Sequence, residues 1–323
     1  MFLLFAGFFG GIQPTCRPVS GDGAPSSAGG LVDPEPVPSF PHRAHVYPCI
    51  AVLAASECGR LFFTESSLMI LALSIGNTNL RFGFRRSAED ASKIAASEIL
   101  DAASIPLEPW PPVLADIVGS RGVDRAILAT VRPDLVAGIE KELSCVGISL
   151  EKIGVDFPVS LENAYEHPEE LGVDRLLGVL AAQHRFPGEG VVVVDFGTAL
   201  TFNVGSPDGQ FMGGLIGIGA SSAAAALPGK TPMLPRVELS SAPGFLARTT
   251  REAISAGISW EVIGGVERVL EGLRSELPFS FRCVATGGDA ELLVPHTRGI
   301  ETIVPDLVLE GLCVAWAAVE TSI

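Results

Sequence analysis

Three side chains in this sequence stand where the chemistry of phosphates and carboxylates could use them. Asp195 follows four valines, Val191 to Val194, so a charge ends an apolar run, where it is costly unless a cation meets it. Asp174 and Arg175 open a stretch whose later face, Leu176, Leu177, Val179 and Leu180, is apolar and reads as a helix. Near a helix N-terminus a carboxylate can orient and deprotonate an attacking hydroxyl, and the dipole favours an anionic ligand. The adjacent guanidinium is a planar fork that reads a carboxylate bidentately. Local sequence leaves plainer roles open: a first-turn acid at Asp174, an ion pair with Glu170 at Arg175, and a turn cap at Asp195.

Two similar elements must position these groups. Ile70-Leu71-Ala72-Leu73-Ser74-Ile75-Gly76-Asn77-Thr78-Asn79 is an apolar strand running into a small polar turn, and Val191-Val192-Val193-Val194-Asp195-Phe196-Gly197-Thr198-Ala199 repeats that plan. A short second strand follows each turn, at 80–84 and 200–204. Glycine lets backbone approach an anion closely, and exposed amides and hydroxyls supply donors. A duplicated strand–turn–strand unit with a carboxylate in its second copy points to a nucleotide-dependent phosphotransferase. Further strands are expected at 125–130, 211–216 and 281–285, and helices at 134–146, 171–185, 220–227, 251–276 and 307–320. The alternation is that of an α/β fold. Pro187-Gly188-Glu189-Gly190 reads as a junction between domains at 69–187 and 188–323.

The 323 residues are 47% hydrophobic and 18% charged, enough for a sizeable core. A formal net charge of −15 argues against nucleic acid or an anionic membrane as principal partner. Six cysteines, with no CxxC pair, suit reduced thiols in a cytoplasmic protein. His167 and His184 have no metal-ligand spacing, and His184 reads as a helix-surface residue. Residues 1–68 open with a short apolar run and continue through Pro, Ser and Gly. No Lys or Arg precedes Arg17, so this stretch is expected to be a disordered extension or a mis-assigned start, with Met69 a plausible initiator and secretion the minor alternative.

From Met69 onward the chain resembles type III pantothenate kinases, which phosphorylate pantothenate in the first step of coenzyme A synthesis. The resemblance rests on Ile75-Gly76-Asn77-Thr78-Asn79, on Tyr165-Glu166-His167-Pro168-Glu169-Glu170-Leu171-Gly172-Val173-Asp174-Arg175, and on Asp195-Phe196-Gly197-Thr198-Ala199. Gly213-Gly214-Leu215-Ile216 and Thr286-Gly287-Gly288-Asp289-Ala290 follow in order. It implies two RNase H-like domains around a cleft, as in sugar kinases and actin. It implies Asp174 as general base, with Tyr165, Gly172, Val173, Asp174 and Arg175 as substrate contacts. Thr250 matches a substrate-binding threonine across a dimer interface, or is a plain helix N-cap. Tyr165 could equally be ordinary packing before a helix. ATP with Mg²⁺ would be held by Ser74, Ile75, Gly76, Asn77, Thr78, Asn79, Leu80, Arg81 and Thr198, and a monovalent cation (K⁺ or NH₄⁺) by Asp195. Gly287-Gly288 would face adenosine. Gly213, Gly214, Gly217 and Gly219 would keep strand and loop close to phosphate, a β-bulge being the alternative. Partners implied are pantothenate, ATP and a second copy of the chain.

The pattern departs from the family at four places. Ser74 stands where the family has an aspartate, Asn203 where many members have another, Ile218 for a proline and Thr249 for an asparagine. The substrate side is complete and the metal–ATP side thinned. Three readings follow: an active kinase with altered metal dependence, a non-catalytic accessory relative, or a kinase for another small alcohol. The Gly-Val-Asp-Arg segment argues against the third.

Overall fold

The computed structural model describes residues 69–86, 99–107, 114, 118, 121–240 and 244–320, all within the unit Phe62–Ile323. The expected extension over 1–68 lies outside them.

Two apolar strands organise the molecule. β1 (Met69–Ile75) is buried on both faces, with Leu71, Leu73 and Ile75 in one core and Ile70 and Ala72 in another. It pairs antiparallel with β2 (Asn79–Arg86) and parallel with β4 (Val123–Thr130). β3 (Leu100–Pro106) and β5 (Ser149–Lys152) complete a sheet of order β3-β2-β1-β4-β5. β7 (Gly190–Phe196) repeats the arrangement, pairing antiparallel with β8 (Ala199–Gly205) and parallel with β10 (Phe281–Thr286). With β6 (Glu162–Asn163), β9 (Gln210–Ile218) and β11 (Thr302–Ile303) it forms a second sheet of order β11-β10-β7-β8-β9-β6. Val192 and Val194 face one core, Val191 and Val193 the other. A period-two alternation with both faces covered is why these strands read as unbroken apolar runs. Each buried aliphatic side chain contributes about 1.5–3 kcal/mol.

The helices cover the sheets. α1 (Val136–Cys145) closes the outer face of the first sheet through Ile139 and Leu143. α3 (Ala220–Lys230) and the long α4 (Thr250–Glu276) lie over the second sheet, α4 through Val262, Ile263, Val266 and Leu270. The short α5 (Ala290–Leu293) follows β10. α2 (Val173–Arg185) and α6 (Leu307–Glu320) pack together between the two halves, α2 against β7 and β8, α6 against β1 and β4. Gly311 permits that approach, since a Cβ there would collide with the carbonyl of Leu177. Arg185 clasps Glu310 bidentately at 2.7 and 2.6 Å and ties the pair. The expected cut at 187/188 falls between α2 and β7. The last helix crosses back to the first sheet, and β6 adds residues 162–163 to the second.

Gly213 and Gly214 have a different place from the one expected by the phosphates. Val204 pairs with Gly213 and Gly205 with Phe211, so Met212 is the extra residue of a β-bulge. Both glycines have positive φ (124° and 155°), and a Cβ on Gly214 would run into the Phe202 carbonyl. They fit β9 against β8. Among the described residues no helix is long and apolar enough to cross a membrane.

Candidate active site

The β1–β2 and β7–β8 turns meet across a cleft of about 280 Å³. In the first, Gly76 N–H donates to the Asn79 carbonyl at 3.0 Å; in the second, Gly197 N–H donates to that of Ala199 at 3.2 Å. The hydroxyls of Thr78 and Thr198 bond to each other at 2.6 Å, so the tips of the two turns touch. Gly219 fits directly under the second turn, where a side chain would strike the carbonyls of Gly197 and Thr198. Of the residues expected at ATP, Ser74, Ile75, Gly76, Asn77, Thr78, Asn79, Arg81 and Thr198 line the cleft. Leu80 does not; it is fully buried in the core of the first sheet.

Asp174 and Asp195 line the same cleft from the second half. Gly172 is the N-cap of α2, and a Cβ there would stand 2.6 Å from Asp174 Oδ1, so glycine leaves that carboxylate its place. Arg175 N–H donates to Asp174 Oδ1 at 2.9 Å. Burial nonetheless raises the Asp174 carboxyl above its ordinary range, with the Arg175 N–H and charge working against it. Asp195, half-buried, is pushed up to about 6, first by burial and then by the charge of Asp174, while Arg81 lowers it. Gly197 and Gly287 flank its carboxylate, and a side chain on either would intrude on Oδ1. Two carboxylates thus share a glycine-walled space and raise the need for a cation.

Arg175 is buried and enters a separate cluster. Its Nε donates to Asn203 Oδ1 at 2.6 Å and its Nη1 to the Tyr165 hydroxyl at 3.2 Å, with the guanidinium over the rings of Tyr165 and Phe211. These partners are neutral, and Nη2 is buried without a hydrogen bond. The ion pair with Glu170 does not form. Asn203, singled out in the sequence only as a departure from the family pattern, is the acceptor that holds Arg175, and it is fixed in turn by donating to Thr201 Oγ1 at 2.9 Å. Val173 begins α2 and packs against the core between the halves.

Thr250 lies apart. The N-cap of α4 is Thr249, whose Oγ1 accepts from Glu252 N–H at 3.3 Å; Thr250 is the first helical residue, exposed and away from the cleft of its own chain. A second cavity of about 780 Å³ lies beside α3 and the start of α4, with Ser221, Arg236, Arg251, Ser255 and Asp289 on its walls. Asp289 follows Gly287-Gly288 and accepts from Ser221 N–H and Oγ at 3.0 and 2.7 Å.

Residues at the start of α6 were not anticipated. Asp306 lines the cleft, 3.9 Å from Arg81, and Arg81 Nη1 donates to the Pro305 carbonyl. A Pro-Asp pair before an apolar helix reads as an ordinary cap, and only the return of α6 to the first sheet brings it to Arg81. Among the described residues no group of three or more His, Cys, Asp or Glu could hold a metal alone. The site suits a divalent ion that arrives on phosphates and takes one or two carboxylates from the protein.

A family model described as Type III pantothenate kinase matches residues 70–272. A type III pantothenate kinase of Paramagnetospirillum magneticum is 32% identical over 250 residues, covering 76% of this chain and 95% of that one. One of Syntrophotalea carbinolica is 32% identical over 260 residues, covering 76% and 96%. Among solved structures, one from Sinorhizobium meliloti described as a 2-dehydro-3-deoxygalactonokinase superposes with a TM-score of 0.50 at 12% identity, covering 77% of this chain and 99% of that one. That likeness gives the fold, two sheet-based halves around a cleft as in sugar kinases. The matched segment carries both glycine turns, the Asp174–Arg175 pair and Asp195, and the chain belongs to the type III pantothenate kinase family.

Proposed function

We propose that this protein transfers the γ-phosphoryl group of ATP to the hydroxyl of pantothenate, the first step of coenzyme A synthesis. The observation that carries the substrate is the Nη2 of Arg175, a buried guanidinium nitrogen without a partner, among neutral neighbours and beside the cleft. A buried cation in that state calls for an anion, and pantothenate supplies a carboxylate. Tyr165 and Asn203 hold the fork in orientation. Asp174 then faces the substrate hydroxyl, orients it and takes its proton as the oxygen attacks phosphorus, and ADP leaves. The raised affinity of Asp174 for a proton suits that role.

The triphosphate lies between the two turns, with donors from Gly76, Thr78 and Thr198 and positive charge from Arg81, and the nucleoside extends past Gly287-Gly288 toward the larger cavity. Mg²⁺ bound with ATP neutralises phosphate charge. Asp195, in its glycine cradle, holds a monovalent cation, K⁺ or NH₄⁺, against the phosphates. The domains close as two halves, 69–187 and 188–323. The functional unit is a homodimer: Met212, Leu215, Ile216 and Ile218 of β9 are exposed apolar side chains, and their burial in a second copy would bring the partner subunit's Thr250 to the substrate. A net charge of −15 supports a cytoplasmic enzyme without nucleic-acid or membrane partners.

Calorimetry on the full chain tests the carboxylate assignment. Pantothenate should bind, whereas Arg175→Met and the alcohol analogue pantothenol should each lose about 10–100-fold, the worth of a charge-assisted contact. Equal binding of pantothenate and pantothenol would remove Arg175 from substrate recognition.

A further inference from the structure

We infer that Asp306 and the carbonyl of Pro305 are positioning groups for Arg81, aiming its guanidinium at the nucleotide phosphates. The inference rests on the kinase reading above and adds a wall to the same cleft, the start of α6.

Arg81 stands directly across from Ser74 in the β1–β2 register, and both line the cleft. Among the described residues lining it, Arg81 is the one basic side chain, against the carboxylates of Asp174, Asp195 and Asp306. Two of those carboxylates face the space where phosphates would lie, so the direction of the Arg81 charge decides whether the floor of the cleft attracts or repels a nucleotide. An arginine side chain has many rotamers, and holding it in advance removes an ordering cost from ligand binding.

The hold comes from outside the first sheet. Arg81 Nη1 donates to the Pro305 carbonyl, and Nη2 faces Asp306 Oδ1 at 3.9 Å. The same carbonyl accepts from Thr286 Oγ1 at 3.2 Å, so one oxygen joins the last residue of β10 to a residue of β2. The support is rigid: Glu310 N–H donates to the Asp306 carbonyl at 3.0 Å as α6 begins, and Leu307 and Leu309 are fully buried. Arg81 and Asp306 keep 33% and 28% of their side-chain surface, and an ion pair so exposed adds little to stability. Its effect is therefore expected at the ligand.

The test is a double-mutant cycle on the full chain, read by calorimetric binding of MgADP. Asp306→Asn removes the charge but keeps a side chain equally able to cap α6. It should weaken MgADP binding about 3–10-fold, and Arg81→Ala about 10–100-fold. Adding Asp306→Asn to Arg81→Ala should change binding by less than about twofold, because the group it positions is gone. Asp306→Glu should recover part of the loss. In turnover, the KM for ATP should rise in Asp306→Asn while that for pantothenate stays constant. Unchanged MgADP binding in Asp306→Asn, or losses that multiply in the double variant, would overturn the inference. A wild-type protein that binds MgADP without phosphorylating pantothenate would sink the kinase reading instead, and the binding cycle would still decide the role of Asp306.

Discussion

At the tip of β1, Ser74 stands across from Arg81; at the matching place on β7, Asp195 stands across from Thr201. The hairpins share topology, parallel neighbour and an apolar first strand, and their threonine hydroxyls meet at 2.6 Å. Their charges are opposite. The first half presents a cation to the cleft and no acid at the strand end, while the second presents a buried acid and a hydroxyl. A duplicated unit has thus divided one task, the first half attracting phosphate directly and the second holding a cation that phosphate can meet. This arrangement gives the Ser74 departure a physical setting, because an aspartate there would face Arg81 across the strand pair and compete for it.

The largest effect should come from the second half. Asp174→Asn keeps an acceptor for the Arg175 N–H but removes the base, and kcat should fall about 10²–10⁴-fold with pantothenate binding retained. In the wild type kcat/KM should fall as pH drops through a value above the ordinary carboxylate range, as the raised Asp174 gains its proton. A limb unmoved from that range would separate Asp174 from the rate.

Asp195→Asn should divide activity from stability. Its folded pKa of about 6 lies above the model value of 3.8, so the folded state binds the proton more tightly. The stability it contributes is full below the unfolded pKa and lost as pH rises through about 6. At pH 7.5, without a bound cation, the asparagine variant should be about 2–3 kcal/mol more stable by urea denaturation and nearly inactive. K⁺ should stabilise the wild type and not the variant. Equal response of both to K⁺ would take the cation site away from Asp195.

Ser74→Asp makes the first strand end resemble the second. The new carboxylate should pair with Arg81, and kcat/KM for MgATP should shift by less than about tenfold. A far larger gain would mean that the first half lacks an acid it needs. The smallest effect belongs to the contact between the tips: Thr78→Val should cost about 0.5–1.5 kcal/mol in denaturant unfolding, and Thr198→Val in that background little more.

The parts of the fold legible in the sequence were those buried on both faces or strongly periodic. β1, β7 and β10 announce themselves as unbroken apolar runs, and α4 and α6 as long helical patterns. β3 was not legible because Leu100–Pro106 is an exposed edge strand with no apolar face to mark it. β5, β6 and β11 are too short to carry a period, and exist through their neighbours. At the site, Asp174, Arg175, Tyr165 and the two turns were visible as motifs. The Arg175–Asn203 bond was not, because it joins a helix start to a strand 28 residues later. Thr249 rather than Thr250 caps α4, a one-residue distinction that backbone geometry makes and residue type cannot. Asp306 needed the crossing of α6.

The measurement that bears most directly on the whole account is phosphorylation of pantothenate by the purified full chain, with ATP, Mg²⁺ and K⁺, followed by ADP release and by the mass of the product. The account predicts ADP release that depends on pantothenate, with one phosphorylated pantothenate formed per ADP and neither in Asp174→Asn. A folded wild-type protein that binds pantothenate and forms no product would contradict it and make this chain a non-catalytic member of its family.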